Sequence, residues 1–260
     1  MSPAVRSAMI RIHDADSVAR IRESARIVAR CLRMMAGEVR AGVSTLALDR
    51  LAEEFIRAEG GEPAFKGYRG FPGSICASIN EEVVHGIPNA ARVLRDGDVI
   101  SIDIGVRKAG FYGDAARTFP VGEITPEAAR LLETTERALQ RGIEQARAGS
   151  RLSDISHAVE KEVKRGGYGV VRALVGHGVG RELHEEPQIP NYGPPGQGPV
   201  LRAGMVFAIE PMVNQGTGDV ITLPDEWTVV TADRKLSAHF EHTVAVREDG
   251  PEILSRLDAE

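Results

Sequence analysis

Residues 95–103 read RDGDVISID, and residues 202–210 read RAGMVFAIE. The two stretches lie 107 residues apart, and each joins a glycine turn to a short apolar strand ending on a carboxylate, Asp103 or Glu210. Upstream, Arg40-Ala41-Gly42 matches Arg147-Ala148-Gly149 at the same offset. In both places a helix follows and ends on a glycine pair, Gly60-Gly61 or Gly166-Gly167. A period this long excludes a solenoid, whose units are much shorter. It predicts two similar half-domains, each of helices then strands, packed as one α+β unit with a site between them. Segments this short also align by chance, so the chemistry of the aligned residues has to decide.

Around these stretches the chain is punctuated clearly. Val18, Ile21, Ala25, Val28, Leu32 and Met35 form one helical stripe, with Asp16 or Ser17 to cap it. A second helix starts at Ser44 or Thr45, turns Leu48, Leu51, Phe55 and Ile56 inward and stops at Gly60-Gly61. Strands are expected over 74–80, 99–105 and 111–119. A helical block over 126–164, broken at Ala148-Gly149, leads into strands and glycine-rich loops over 170–254. The 260 residues carry 37 Asp and Glu against 32 Lys and Arg, a net charge of −5, and are 42% hydrophobic. That balance excludes a disordered chain and argues against a nucleic-acid surface. No apolar run approaches the ~20 residues of a membrane helix, and residues 1–13 lack a signal-peptide core. Two cysteines, Cys31 and Cys76, make no disulfide scaffold and suit a reducing cytosol.

Five segments carry candidate chemistry. In 99–105 the isoleucines 100, 102 and 104 share one face, and Ser101, Asp103 and Gly105 the other. A four-residue turn over 107–110, with glycine last, predicts Asp103 directly opposite Asp114. Like charges so placed destabilise a sheet, and no Lys or Arg occupies a neighbouring inward position. A divalent cation resolves the repulsion; two solvated aspartates on an exposed face fit the same pattern. The segment GHGVGRELHEEP, 176–187, surrounds His177 with glycines and adds His184. Either histidine could be a ligand, a proton shuttle or a structural residue. Gln188 excludes a His-Glu-x-x-His zinc helix. Glu210 ends an apolar strand, where a carboxylate is costly unless paired, metal-bound or escaping to solvent. Glu241 alternates with Phe240 in AHFEHTV, 238–244, and an outward glutamate on a half-exposed strand fits as well. His85 sits at a strand-to-turn junction in EVVHGIP, 82–88, a place also open to a plain turn histidine. Together, four carboxylates and an imidazole suit two divalent ions such as Mn, Fe, Co or Zn, not a cysteine-based zinc site. Two metals ~3.5–4 Å apart can activate a bridging water and clamp a tetrahedral intermediate, which is hydrolase chemistry.

On these residues, in this order and motif setting, the chain resembles the type I methionine aminopeptidases, of the pita-bread metallopeptidase fold, from about Arg20 to Leu254. The resemblance implies an α+β, pseudo-twofold fold in which helices cover an antiparallel sheet and the active site lies between two similar halves. It implies a tail over 1–15 and one catalytic domain over 16–260, with halves of about 16–122 and 123–260. Asp103 would chelate one metal, Asp114 and Glu241 would bridge both, and His177 and Glu210 would complete the other site. Glu210 would also act as general base toward the bridging water or hydroxide. His85 would hydrogen-bond the scissile amide, and His184 would position the substrate carbonyl. Phe65, Tyr68, Phe71, Cys76, Leu183 and Trp227 would wall a pocket for a methionine side chain, to which sulfur-tolerant apolar surfaces are suited. Leu183 stands where an aromatic is commoner, and Phe65 where a small residue is commoner.

The implied reaction removes the initiator methionine from nascent polypeptides whose second residue is small. Two divalent ions (Co, Mn, Fe or Zn) would serve as cofactors. A cytoplasmic monomer in transient contact with the ribosome is implied, with no specific nucleic acid and no membrane. Type I is favoured over type II because no long insertion interrupts 170–254. It is favoured over the proline-specific peptidases because few residues precede the first helix and Glu241 stands in Phe-Glu-His-Thr. The chain's own Met1-Ser2 start would itself suit such an activity.

Overall fold

Helix α1 (Ala15–Glu38) forms where the apolar stripe predicts it, and all six stripe residues are buried. Its cap lies earlier than the sequence suggests. The Asp14 carboxylate, not Asp16 or Ser17, accepts a hydrogen bond from the Ser17 N–H at 2.8 Å. Asp16 then falls in the first turn, where a negative charge favours the helix dipole. The structure, a computed structural model, describes residues 10–257; the Met1-Ser2 start lies outside them. Helix α2 (Thr45–Ala58) is capped by Ser44. Leu48, Ala52 and Ile56 are its buried stripe, at spacings of four. Leu51 is exposed and Phe55 only half-buried, because both lie beside that stripe rather than on it.

The first group of strands is β1 (Glu62–Pro63), β2 (Cys76–Ile79), β3 (Glu82–Val84), β4 (Val99–Lys108) and β5 (Phe111–Pro120). Helices α3 (Pro126–Ile143) and α4 (Leu152–Arg165) then precede β6 (Gly169–Val170), β7 (Val175–Gly178), β8 (Glu185–Pro190) and β9 (Val206–Ile209). The chain ends with β10 (Met212–Asn214), β11 (Val220–Thr222), β12 (Val229–Thr231), β13 (Ser237–His239), β14 (His242–Arg247) and β15 (Gly250–Ile253). β4 pairs with β5 along one edge and with β2 and β1 along the other. A second sheet runs β15-β14-β9-β7-β8. Ile100, Ile102 and Ile104 meet α1 and α2 in one core cluster, while Phe207, Ile209 and Val244 meet α3 and α4 in another. Helices therefore cover one face of each sheet, and Asp103 lies on the other face of β4.

The hairpin register differs from the expected one. The turn is two residues long, Ala109-Gly110, with positive φ of 49° and 79°. Such a turn matches the right-handed strand twist better than a four-residue one. Gly105 is consequently opposite Asp114, and Asp103 opposite Ala116. The two aspartates are diagonal neighbours on one face, not a directly facing pair.

Backbone hydrogen bonds recur at the 107-residue offset. Gly42 N–H donates to Leu94 O, and Gly149 N–H to Leu201 O, both at 2.9 Å. Leu94 N–H donates to Val43 O, and Leu201 N–H to Ser150 O. Further on, Gly97 and Gly204 donate to Val121 and Val246, which stand 125 residues apart. At that second offset Ala116 corresponds to Glu241, and Thr118 to Thr243. β5 and β14 cross here: Glu241 N–H donates to Ala116 O at 2.9 Å, and Ala116 N–H to Glu241 O at 3.4 Å. The Thr118 hydroxyl accepts from His239 N–H and donates to His239 O. Thr243 does the same for Asp114. The crossing is thus a pseudo-twofold arrangement of main chain, with different side chains on its two arms.

Candidate metal centre

Five elements converge on one cavity of about 180 Å³. Asp103 comes from β4, Asp114 from β5, His177 from β7, Glu210 from just after β9, and Glu241 from just before β14. The crossing fixes two of them, since Thr243 holds the Asp114 main chain and Ala116 holds that of Glu241. The Nδ1 of His177 lies 2.9 Å from the carbonyl of Gly178, so Nδ1 carries the proton and Nε2 is left as an acceptor. That Nε2 is 3.5 Å from Glu210 Oε1. One donor atom each from Asp114, His177 and Glu241 lies within 4.8 Å of the others.

The electrostatics call for a cation. Asp103 Oδ1, Asp114 Oδ1 and Glu241 Oε1 are enclosed and have no hydrogen-bond partner among the described residues. Unpaired buried charge of this kind is costly. Burial, the largest cause, pushes the Asp103 and Glu210 carboxyls up to about 7. It lifts Asp114 and Glu241 well above the ordinary range, with neighbouring carboxylates adding to the effect. Oxygen donors plus one imidazole fit divalent ions of the first transition row.

The remaining sequence candidates line the same cavity. Phe65, Tyr68, Phe71, Cys76, Leu183 and Trp227 form its apolar wall, and His85 and His184 stand beside it. Cys76 is the cross-strand partner of Asp103, which sets the thiol against the carboxylates. Burial, then those carboxylates, raise its pKa well above the usual thiol value. Phe71 packs edge-on against Trp227, with ring centres 5.1 Å apart. His184 Nδ1 is 2.8 Å from the Tyr68 hydroxyl. Burial lowers His184 to about 3 and His85 to about 4, so both are neutral at physiological pH. The cavity opens into a cleft of about 570 Å³ that shares His85, His177, His184 and Glu210.

Phe65 has room for a specific reason. A Cβ at Gly105 would lie 2.5 Å from the Phe65 ring, so the ring rests on the bare backbone of β4. Gly105→Ala is expected to destabilise the protein by about 1–3 kcal/mol through overpacking. The same change in a Phe65→Ala background should cost much less, which a double-mutant cycle of thermal unfolding measures.

Two further residues belong to this environment. Arg69, in a left-handed conformation with φ of 50°, lines both the cavity and the cleft. His239 is buried, and its Nε2 has no hydrogen-bond partner but lies 3.5 Å from Glu210 Oε2. Glu210 therefore stands between two imidazoles, His177 and His239. The 125-residue offset that pairs Val121 with Val246 also pairs Asp114 with His239, and this is the signal that finds it. Nothing in the sequence around Arg69 marks it.

A centre of this composition on this fold is that of a metallopeptidase. Residues 19–248 match metallopeptidase family M24, and the chain belongs to that family. Within it, the chain is 55% identical over 237 residues to methionine aminopeptidase 1 of Bacillus subtilis, covering 91% of this chain and 95% of that one. The structure superposes on methionine aminopeptidase from Rickettsia prowazekii with a TM-score of 0.94 at 42% identity, covering 95% of this chain and 100% of that one. It therefore has the pita-bread fold, with helices over antiparallel sheet. A prolidase from Pyrococcus furiosus shares the fold with a TM-score of 0.75 at 23% identity, over 95% of this chain and 66% of that one. Among the described residues no helix is long and apolar enough to cross a membrane.

Proposed function

We propose that this chain removes the initiator methionine from nascent polypeptides whose second residue is small. The observation that carries the reading is a single cavity in which unpartnered carboxylate oxygens and the free Nε2 of His177 adjoin a wall of aromatic, aliphatic and thiol groups. Asp103, Asp114, His177, Glu210 and Glu241 would hold two divalent ions (Co, Mn, Fe or Zn). When bound, such ions lower the pKa of water and polarise a carbonyl. Glu210 is the proton acceptor in this reading. In the metal-free protein burial raises its carboxyl to about 7.

His85 is neutral and can donate to the scissile amide and the departing amine. His184, oriented by Tyr68, positions the substrate carbonyl. Phe65, Tyr68, Phe71, Cys76, Leu183 and Trp227 receive the methionine side chain, a flexible thioether that such walls accommodate. The polypeptide beyond the first bond lies in the wider cleft. The catalytic unit spans 16–260 in halves of about 16–122 and 123–260, and the enzyme works as a cytoplasmic monomer with transient ribosome contact.

The test compares metal-reconstituted protein on Met-Ala-Ser, Met-Leu-Ser and Ala-Pro-Ser peptides, with release of the first residue measured by chromatography. Release of methionine from Met-Ala-Ser alone is the expected result. Preferential cleavage before proline would replace this reading with that of the prolidase-like branch. An Asp114→Asn variant as active as the parent would remove the metal centre from the reaction.

A further inference from the structure

A second cavity, of about 430 Å³, lies between α1 and α3. Arg117 on β5 and His242 on β14 line it. Each sits an odd number of positions from Asp114 and Glu241, respectively, and so points to the opposite face. Arg33 of α1 and Gln140 of α3 also line it and stand 107 residues apart, while Arg117 and His242 stand 125 apart. The cavity therefore straddles the same pseudo-twofold relation as the carboxylates, at its other end.

Its chemistry is the reverse of the metal centre's. Arg33, Arg117 and Arg256 border it, and none of the three forms an ion pair among the described residues. The Arg117 guanidinium lies 5.7 Å from the Phe119 ring centre, a contact that places it without neutralising it. Among the described residues Glu136 is the one carboxylate on the lining, beside three arginines. Ser255 Oγ accepts from Thr243 N–H at 3.1 Å and lies 2.8 Å from His242 Nδ1. Leu32, Leu139 and Phe240 supply an apolar floor.

We propose that this cavity binds a phosphate monoester carrying a compact apolar or aromatic body. A phosphate monoester carries about −1.5 to −2 at neutral pH, and three guanidinium groups around one cavity suit such a dianion better than a monocarboxylate. Guanidinium forks are suited to phosphate oxygens, and the floor is suited to the body. This site does not depend on the peptidase reading.

The test is calorimetric titration of the metal-loaded protein with phenyl phosphate at low ionic strength, beside benzoate and inorganic phosphate. Saturable binding to one site is expected, tightest for phenyl phosphate. It should weaken at least tenfold in Arg117→Gln and survive in Asp103→Asn, which alters the metal centre. Arg256→Gln, near the end of the described chain, should weaken binding likewise and serves if Arg117→Gln does not fold, as judged by circular dichroism. Three results overturn the proposal: no saturable binding, equal binding of all three probes, or loss in Asp103→Asn with retention in the arginine variants.

Discussion

Glu241→Gln should move activity and stability in opposite directions. In the metal-free protein Glu241 is enclosed, one of its oxygens has no partner, and Asp114, Glu210 and Asp103 all disfavour its charge. An amide of nearly the same shape removes that repulsion, so the metal-free variant should be more stable by about 1–4 kcal/mol. For a chain of this size each kcal/mol is roughly 2–4 °C of melting temperature. Methionine release should fall by roughly 10²–10³-fold, the usual loss when one preorganised electrostatic group is removed. Thermal melts in chelator, metal analysis after reconstitution and peptide turnover read the three quantities. A metal-free variant that melts below the parent would show that Glu241 is satisfied by the protein alone.

The metal-free protein should lose stability as pH rises from 6.5 to 8, and divalent metal should reverse the trend. Asp103 and Glu210 titrate at about 7 in the fold, and Asp114 and Glu241 are raised further above the ordinary range. In the unfolded chain these groups release protons near 4. The folded state therefore binds protons that the unfolded state has already lost, so stability falls as pH climbs through the folded values. His85 and His184 act the other way, because their folded values of about 4 and about 3 lie below the unfolded value. Their contribution is lost as pH falls, and it is nearly complete above about 6.5. The window from 6.5 to 8 thus belongs to the carboxyls, each worth roughly 1 kcal/mol there. Metal requires the deprotonated forms, so added metal should make the protein more stable at pH 8 than at 6.5. A metal-free melting temperature that is flat or rising across this window would exclude a buried carboxylate cluster.

Much of this architecture is legible in residue spacing. The α1 stripe reads correctly because six apolar residues at spacings of three and four leave one face to bury. The correspondence of Asp103 with Glu210 is visible because both end apolar strands after a glycine turn. The hairpin register is not, since Ala109 adopts a positive φ that its side chain does not advertise; Asn or Asp there would have signalled the shorter turn. The α1 cap is ambiguous because Asp14, Asp16 and Ser17 all fall within one turn. Leu51 reads as inward because an apolar residue near a stripe is indistinguishable from one on it until the partner surface is known. His239 stands two residues before Glu241 in a segment with a second histidine, and its correspondence with Asp114 at the 125-residue offset is what sets it apart from His242.

The crossing of β5 and β14 has a consequence for symmetry. Ala116 and Glu241 exchange main-chain hydrogen bonds across it, as the two copies of one residue do at the axis of a symmetric dimer. Two identical half-length chains would put the same residue at both places, either two alanines or two glutamates. They would likewise put two aspartates, or two histidines, where Asp114 and His239 now stand. One glutamate facing one alanine requires two arms of different sequence, which this single chain supplies. With both arms in one chain, one supplies charge at the crossing and the other leaves room for it.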